Sequence, residues 1–451
     1  MRSSMANFAK SNVPRFSVDV YQNEYLPEGG SEVNAIVTVT ATGGGTIGSA
    51  VSAPVYPPGR GPSAAVAIMV DCSGSMDYPP TKMRGAREAT AAAIDTLRDG
   101  TRFTVIGGTH VAQEVYPGGG RLAVADATTR EQAKHALRRL SAGGGTAIGT
   151  WLRLADRLLS AADVTIRHGI LLTDGRNEHE SPEDLRATLD ACAGRFTCDA
   201  RGVGTDWEVK EVTGIASALL GTADIVADPA GLAADFTRMM ETAMGKEVAD
   251  VCLRVWTPVG TTIRFVKQVA PSVADLTDRR TEVGPRAGDY PTGSWGDESR
   301  DYHLCVAVPP AGLGQEMLAA RVSLVVPDTD GTVQNLGAQG LVRAVWTDDM
   351  AASTSINPQV AHYTGQAELA QAIQKGLDLR KAGDFDGATA KLGRAVQLAN
   401  ASGNADTAKL LAKVVDVVDA ATGTVRLKTR VAEADEMTLE TRSTKTVRVK
   451  K

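Results

Sequence analysis

The sequence has few aromatic residues, a small net charge and no long apolar run, and these shortages exclude several classes of protein. No uninterrupted apolar segment approaches the ~18 residues that a membrane-spanning helix needs, so we expect no membrane association. The formal net charge of -5 over 451 residues is too small to favour general binding to nucleic acid. Residues 1–15 mix charge and polarity and predict no secretory signal.

Cysteine is also sparse, and its distribution bears on the compartment. The chain has five cysteines, which is an odd number, and none of them forms a Cys-x-x-Cys spacing. This pattern favours reduced thiols in a cytoplasmic protein over a disulfide framework or a zinc site. The five residues are Cys72, Cys192, Cys198, Cys252 and Cys305.

The centre of the chain differs in texture from the parts on either side of it. Residues 63–246 alternate short apolar strands with helical segments, which predicts an α/β unit on a mainly parallel sheet covered on both faces. Residues 1–62 contain two alternating strands and a connector at 43–63, and residues 247–350 contain further short strands. Because an isolated hairpin is marginal in water, we expect one antiparallel β-sandwich with the α/β unit inserted in it.

The last hundred residues change character again. Residues 357–420 are predicted to be helical, with a third helix at about 404–420. The pair 367–382 and 385–399 resembles one tetratricopeptide-like repeat, which cannot bury its apolar face alone. Residues 421–451 are polar, carry five positive charges from Arg442 onward, and are predicted to form a flexible basic tail.

Threonines in this predicted tail raise a separate hypothesis. Phosphorylation would add charge and acceptor oxygens, and could dock a phosphothreonine-reading partner. A solvated chain end without modification is the alternative. The threonines concerned are Thr438, Thr441, Thr444 and Thr446.

The clearest motif follows a short apolar strand at residues 66–70. Three oxygen-bearing side chains stand there at alternate positions, in the order Asp71-Cys72-Ser73-Gly74-Ser75. In an open α/β sheet, ligands bind in the crevice outside the carboxyl ends of the strands. One carboxylate with two hydroxyls is an oxygen ligand set for a small hard cation. The alternative is that these side chains only cap the following helix.

Two further segments supply oxygen atoms that would complete such a shell. Thr146 follows a run of glycines within residues 143–149, just before a helix, and glycine lets the backbone approach a site closely. Asp174 ends a second buried strand at residues 169–174. Because neighbouring parallel strands end at the same edge of a sheet, we expect both carboxylates there. Mg²⁺ prefers six oxygen ligands, which leaves one position for a carboxylate from a partner protein.

In this order, the three segments resemble the von Willebrand factor A domain family and its metal-ion-dependent adhesion site. The resemblance covers residues 63–246 and implies a Rossmann-like domain that recognises an acidic residue, Asp or Glu, of a partner protein. Insertion of such a domain into a β-sandwich is similar to the architecture of integrin β chains, by analogy only. The resemblance also implies that Mg²⁺ or Mn²⁺ binds at Asp71, Ser73, Ser75, Thr146 and Asp174.

Enzymatic alternatives meet specific obstacles in the sequence. A phosphate-binding loop of the Walker type requires a lysine after its glycines, and none follows Gly149. A haloacid dehalogenase-type phosphatase carries a second Asp two positions after its nucleophile, where this chain has Ser73. We therefore predict a non-enzymatic adaptor. The remaining alternatives are an accessory subunit of an ATPase-driven machine, such as a metal chelatase or a MoxR-like chaperone, and a metal-dependent phosphohydrolase.

Overall fold

The computed structural model describes residues 14–43, 63–327 and 332–449, so the predicted connector at 43–63 lies almost entirely outside the described residues. Three strands precede the α/β region: β1 (Arg15–Gln22), β2 (Tyr25–Leu26) and β3 (Glu32–Thr42). β1 and β3 pair antiparallel, as their alternating patterns predict.

The α/β region alternates strands with helices, which confirms the α/β prediction for this part of the chain. Its strands are β4 (Ala64–Asp71), β5 (Arg102–Gly108), β6 (Ala112–Tyr116), β7 (Ala123–Val124), β8 (Ile166–Thr173), β9 (Thr197–Val203) and β10 (Ala223–Val226). Its helices are α1 (Thr81–Thr96), α2 (Ala127–Leu137), α3 (Ile148–Ser160), α4 (Pro182–Cys192), α5 (Val209–Ala218) and α6 (Leu232–Met244).

These strands form one sheet in the order β10-β9-β8-β4-β5-β6, with β7 also paired to β5. β4 lies between β8 and β5 and pairs parallel with both. Helices cover both faces, so every residue of β4 is buried. Met69 packs with residues of α3 and α5, whereas the adjacent Ile68 packs with residues of α1 and α6. The carboxyl ends of β4 and β8 therefore lie side by side.

The chain then returns to strands after α6. These strands are β11 (Cys252–Trp256), β12 (Thr262–Ala270), β13 (Ala274–Asp275), β14 (Thr281–Gly284), β15 (Ala287–Pro291), β16 (Glu298–Ala307), β17 (Glu316–Pro327) and β18 (Val333–Trp346).

Two further sheets combine strands from before and after the α/β region. One has the order β1-β3-β16-β12-β13, and the other has the order β14-β15-β11-β17-β18-β2. One hydrophobic cluster contains buried residues of both sheets, including Val37, Leu253, Tyr302 and Trp346. The α/β region thus lies between strands that share a core with one another.

The C-terminal region begins with helices, as predicted, but its third helix is shorter than expected. The elements are α7 (Met350–Thr354), α8 (Pro358–Lys381), α9 (Phe385–Ala401), α10 (Ala405–Val414), β19 (Val415–Asp419), β20 (Thr424–Leu427) and α11 (Glu433–Arg442). The prediction of a helix to residue 420 is wrong after Val414, because β19, which contains the β-branched residues Val415, Val417 and Val418, pairs with β20 as a hairpin. No helix among the described residues has the length and apolar character needed to cross a membrane.

The prediction of a flexible tail at 421–451 is wrong for residues 421–449. This segment contains β20 and α11, and three of its apolar side chains, those of Val425, Met437 and Leu439, are buried. Met437 packs in a hydrophobic cluster of the α/β region, and Leu439 packs in the cluster of the C-terminal helices. Two basic residues of the segment, Arg442 and Lys445, both pair with Asp224, which is distant in sequence.

The phosphorylation hypothesis requires accessible threonines, and the structure buries one of the four. Thr441 is only 4% exposed, and its hydroxyl donates to the Met437 carbonyl. Thr438, Thr444 and Thr446 are half-buried, and the Thr438 and Thr446 hydroxyls donate to the Ala434 and Val269 carbonyls, respectively. Phosphorylation of the segment therefore stays a prediction, and Thr441 is the least accessible of the four.

Candidate metal centre

Asp71 ends β4 and is held in place from both sides. It is fully buried, and its Oδ1 accepts a hydrogen bond of 2.7 Å from the Ser73 amide. Its Oδ2 accepts a hydrogen bond of 2.7 Å from the hydroxyl of Thr173, at the end of the neighbouring β8. Burial raises the pKa of the Asp71 carboxyl, the Ser73 and Thr173 hydrogen bonds oppose that shift, and Asp174 adds to it. The hydrogen bonds from Ser73 and Thr173 therefore do not fully offset the burial of this carboxyl.

The loop after β4 is tied to the glycine-rich loop before α3 by backbone hydrogen bonds. The Gly74 amide donates to the Gly144 carbonyl at 2.9 Å, and the Gly143 amide donates to the Cys72 carbonyl at 2.8 Å. Gly145 leaves room for a neighbour, because a Cβ atom there would lie 2.2 Å from His179 Nδ1. These contacts bring two segments that are far apart in sequence to the same edge of the sheet.

Three hydroxyl oxygens converge beside the two carboxylates. Ser73 Oγ lies 2.9 Å from Ser75 Oγ, which donates a 2.7 Å hydrogen bond to Asp174 Oδ1. A Cβ atom added to Gly175 would lie 2.9 Å from Ser75 Oγ, 3.5 Å from Thr146 Oγ1 and 3.8 Å from Ser73 Oγ. All three hydroxyls thus lie close to Gly175, and glycine at this position keeps a side chain out of the group.

The structure therefore brings all five predicted site residues together, although their role as metal ligands stays a prediction. The arrangement fits a small hard cation, because every donor is a hydroxyl or carboxylate oxygen. Among the residues that the structure describes, no group of three or more His, Cys, Asp and Glu side chains is placed to hold a metal. The candidate centre instead relies on hydroxyls and contributes only two carboxylates.

The N-terminus of α3 is already occupied by side chains from the loop after β8. The Ile148 amide donates to Asn177 Oδ1 at 2.8 Å, and the Gly149 amide donates to Glu180 Oε2 at 2.8 Å. His179 adds a contact to the same loop, because its amide donates to the Thr146 carbonyl at 2.9 Å. The helix N-terminus therefore positions Thr146 and does not leave these amides free for a phosphate group.

Lys82 is a site residue that the sequence patterns did not single out. It lies in the first turn of α1, is only 7% exposed, and places Nζ 2.7 Å from Asp174 Oδ2 and 3.1 Å from Asp206 Oδ2. Desolvation opposes its charge, but the carboxylates of Asp174 and Asp206 outweigh that effect and raise the pKa of Lys82. The one sequence signal for Lys82 is its place in the first turn of the helix that follows the Asp71 loop. That signal is not sufficient, because the contact of Lys82 is with Asp174, which is distant in sequence.

A cavity of about 400 Å³ opens beside the hydroxyl cluster. Its rim includes charged side chains from two loops, those after β8 and β9, and one from the C-terminal helix α11. The residues that matter for the site are Ser73, Ser75, Thr146, Glu178, Asp206 and Glu433. In the connection between the Asp71 loop and α1, Tyr78 is 82% exposed. The donor cluster is therefore accessible to a group from outside.

Comparisons with known proteins agree with this architecture. The family model described as the von Willebrand factor type A domain matches residues 64–225, and the model described as the von Willebrand factor type A C-terminal domain matches residues 397–443. A search of curated proteins gives no match.

Solved structures extend the likeness to the whole chain. The structure titled von Willebrand factor type A from Catenulispora acidiphila is 52% identical, with a TM-score of 0.90, and the alignment covers 98% of this chain and 99% of that one. The ArnB paralog VWA2 from Sulfolobus acidocaldarius is 13% identical with a TM-score of 0.57, and the alignment covers 95% of this chain and 98% of that one. The second likeness concerns the fold alone. In both cases the flanking sheets and C-terminal helices are part of the shared structure.

Proposed function

The chain belongs to the von Willebrand factor type A family, and from this premise we propose that it is a non-enzymatic adaptor with a metal-ion-dependent adhesion site. Domains of this family generally mediate protein–protein interactions. In the proposed function, the site binds Mg²⁺ or Mn²⁺ and captures an Asp or Glu side chain of a partner protein.

One observation carries the proposal. The hydroxyls of Ser73, Ser75 and Thr146 lie together at the wall of an open cavity, beside the carboxylates of Asp71 and Asp174. These five residues would hold the ion, some of them through water, as Mg²⁺ sites usually do. The ion would supply a positive charge that an outside carboxylate can bind directly.

The charges around the site support capture of an anion. Two carboxylates face the donor cluster, but the Lys82 ammonium already offsets part of the charge of Asp174. A bound divalent ion would therefore keep a net positive charge in a partly buried place, where electrostatic attraction is stronger than in bulk water. An acidic side chain of a partner satisfies that charge.

The other regions of the chain form a framework in this proposal. We divide the chain into one β-sandwich formed by β1–β3 and β11–β18, an inserted domain at residues 63–246, and a tetratricopeptide-like helical segment formed by α8–α10. Support for the sandwich comes from the hydrophobic cluster that the two antiparallel sheets share. A cytoplasmic location is consistent with five cysteines that are all free thiols.

Calorimetric titration with MgCl₂ and MnCl₂ tests the metal site. We expect saturable binding to the unmodified protein and its loss in Asp71→Ala, because that substitution removes a buried carboxylate from the donor set. Asp77→Ala is the matched control, since Asp77 is an exposed acid next to the same loop. If neither ion binds the unmodified protein, the proposed function is wrong.

A second measurement tests the capture of carboxylates. The probes are short peptides that contain a single Glu, each paired with an otherwise identical peptide that contains Gln. We expect binding of the Glu peptides only when Mg²⁺ or Mn²⁺ is present, and no binding after addition of a chelator. Equal binding of both peptides, or binding that persists in chelator, would show that the ion does not recognise carboxylates.

A further inference from the structure

The C-terminal helix α11 is docked against the α/β region and reaches the candidate metal centre. Met437, on this helix, is buried in a hydrophobic cluster of the α/β region. At the other end of the helix, Arg442 Nε lies 2.8 Å from Asp224 Oδ1, and Lys445 Nζ lies 2.6 Å from Asp224 Oδ2. These contacts fix the direction of α11 and place its first residue, Glu433, at the cavity beside the hydroxyl cluster.

Glu433 differs from the other acidic residues of this helix. Three of the four acids on α11 form ion pairs: Asp435 with Lys413 at 2.7 Å, Glu436 with Arg380 at 3.6 Å, and Glu440 with Lys381 at 2.7 Å. The Glu433 carboxylate forms no ion pair or hydrogen bond with any other residue in the described part of the chain, and its side chain is exposed. It is therefore free to turn into the cavity.

The surroundings of Glu433 explain why a cation would attract it. The cavity rim also carries the acids Glu178 and Asp206, of which Asp206 is paired with Lys82 at 3.1 Å. The one guanidinium on the rim, that of Arg176, is paired with Glu208 at 3.2 Å. Without a bound cation, Glu433 faces the like charge of Glu178, which disfavours its approach. A divalent ion at the hydroxyl cluster reverses the sign of that interaction.

We propose that Glu433 is an internal acidic ligand of the site, so that the metal-loaded protein is closed in cis by its own C-terminal helix. This inference rests on the proposed function, because it requires an ion held by the five donors. A partner protein then competes with Glu433 for the same coordination position. The apparent affinity for an outside carboxylate is therefore lowered in proportion to the fraction of molecules in which Glu433 has left the ion.

The test compares Glu433→Gln with Glu183→Gln. Glu183 is a matched control because it is also an exposed acid in the first turn of a helix, α4, and its substitution removes the same charge. Titration with Mn²⁺ comes first. We expect Glu433→Gln to bind Mn²⁺ about tenfold more weakly than the unmodified protein, because one internal ligand is lost. The control should bind as the unmodified protein does.

The second arm uses a single-Glu peptide in saturating Mn²⁺. We expect Glu433→Gln to bind this peptide about tenfold more tightly than either the unmodified protein or the control, because the internal competitor is gone. Hydrogen exchange provides an independent readout: Mn²⁺ should slow exchange of the first amides of α11 in the unmodified protein and not in Glu433→Gln.

The outcomes separate this inference from the function on which it rests. If the unmodified protein does not bind Mn²⁺ at all, both are overturned. If it binds Mn²⁺ and Glu433→Gln matches the control in metal affinity, peptide affinity and exchange, the internal ligand is wrong while the metal site stands. Thermal unfolding of both variants in chelator checks that neither substitution alters the fold.

Discussion

The two ends of the central sheet carry buried polar clusters that differ in how their charges are balanced. At the carboxyl end, Asp71 and Asp174 lie beside three hydroxyls that line an open cavity, and Lys82 pairs with Asp174. At the amino end, near the starts of β8 and β9, His168 Nε2 lies 3.0 Å from Asp199 Oδ2. There the Thr222 amide donates to Asp199 Oδ1 at 2.6 Å.

A second closed cluster joins the α/β region to the flanking sheets. Lys246, just after α6, lies 2.7 Å from Glu298 in β16, and Arg300 lies 3.0 Å from the same carboxylate while it stacks over the Trp295 ring at 4.2 Å. Burial opposes the charge of Glu298, but Arg300 and Lys246 prevail and lower its pKa to about 2. In contrast, burial raises the pKa of Asp71.

The contrast distinguishes a structural cluster from a binding cluster. Where each buried charge has its partner within the chain, the charges join two regions and need no ligand. Where carboxylates are buried with too little compensation, either a proton or a cation from outside can balance them. Polarity and burial alone do not separate a structural cluster from a binding cluster, whereas the balance of charges within the cluster does.

The largest expected effect is at the closed cluster. Glu298→Gln leaves Lys246 and Arg300 without their carboxylate, and loss of one member of a buried charge cluster costs about 3–5 kcal/mol in the free energy of unfolding. Urea unfolding measures the loss, with Glu88→Gln on the exposed face of α1 as the control, expected within about 0.5 kcal/mol. Addition of Mg²⁺ should not restore the stability of Glu298→Gln. If Mg²⁺ restored the stability of Glu298→Gln, the distinction between the closed clusters and the open cluster would be wrong.

The second effect is at the open cluster. Lys82→Met removes the ammonium from the buried Asp174 carboxylate, and we expect a loss of about 3 kcal/mol in chelator. Unlike Glu298→Gln, this variant should recover stability in Mg²⁺, because the ion replaces the missing positive charge. Its Mg²⁺ affinity in calorimetry should rise about tenfold, since a competing cation is gone. Lys82→Arg, which keeps the charge, is the control. A variant that binds Mg²⁺ no better than the unmodified protein would contradict this role.

The third effect is a dependence on pH in the flanking sheets. His303 is buried in β16, its Nε2 lies 2.9 Å from Asn34 Oδ1, and burial lowers its pKa to about 4. Because the unfolded chain binds the proton more tightly, His303 contributes full stability above its ordinary pKa of 6.5, and this contribution is lost as pH falls toward 4. We expect the free energy of unfolding to fall by about 2 kcal/mol between pH ~7 and pH ~5.

His303→Gln isolates that contribution. The glutamine amide does not titrate, so the fall over this pH range should be smaller by nearly the whole amount attributed to His303. Denaturant unfolding of both proteins at the two pH values measures the difference. Parallel curves for the two proteins would show that His303 is not the titrating group.

The sequence predicts the open end of the sheet better than the contacts around it. The Asp71-x-Ser73-x-Ser75 loop is local, and the positions of Thr146 and Asp174 follow from strand–helix alternation, because β4 and β8 are parallel neighbours. Lys82 was not predicted, because a lysine on a helix ordinarily lies in solvent. Its partner, Asp174, follows the neighbouring strand β8. The hairpin after Val414 had a local signal in its β-branched run, whereas the folded C-terminal segment depends on Asp224, whose position is set by the sheet.

The smallest expected effect is at that segment, which offers a third kind of polar contact. Lys445 is half exposed, and Arg442 contacts the other oxygen of the Asp224 carboxylate. Burial opposes the charge of Asp224, but Lys445 and Arg442 outweigh it and lower its pKa. Because one cation remains and solvent screens the other, Lys445→Gln should cost less than about 0.5 kcal/mol in urea unfolding, and high salt should reduce the difference further. A loss as large as that of Glu298→Gln would mean that the C-terminal segment is joined to the α/β region as firmly as the flanking sheets.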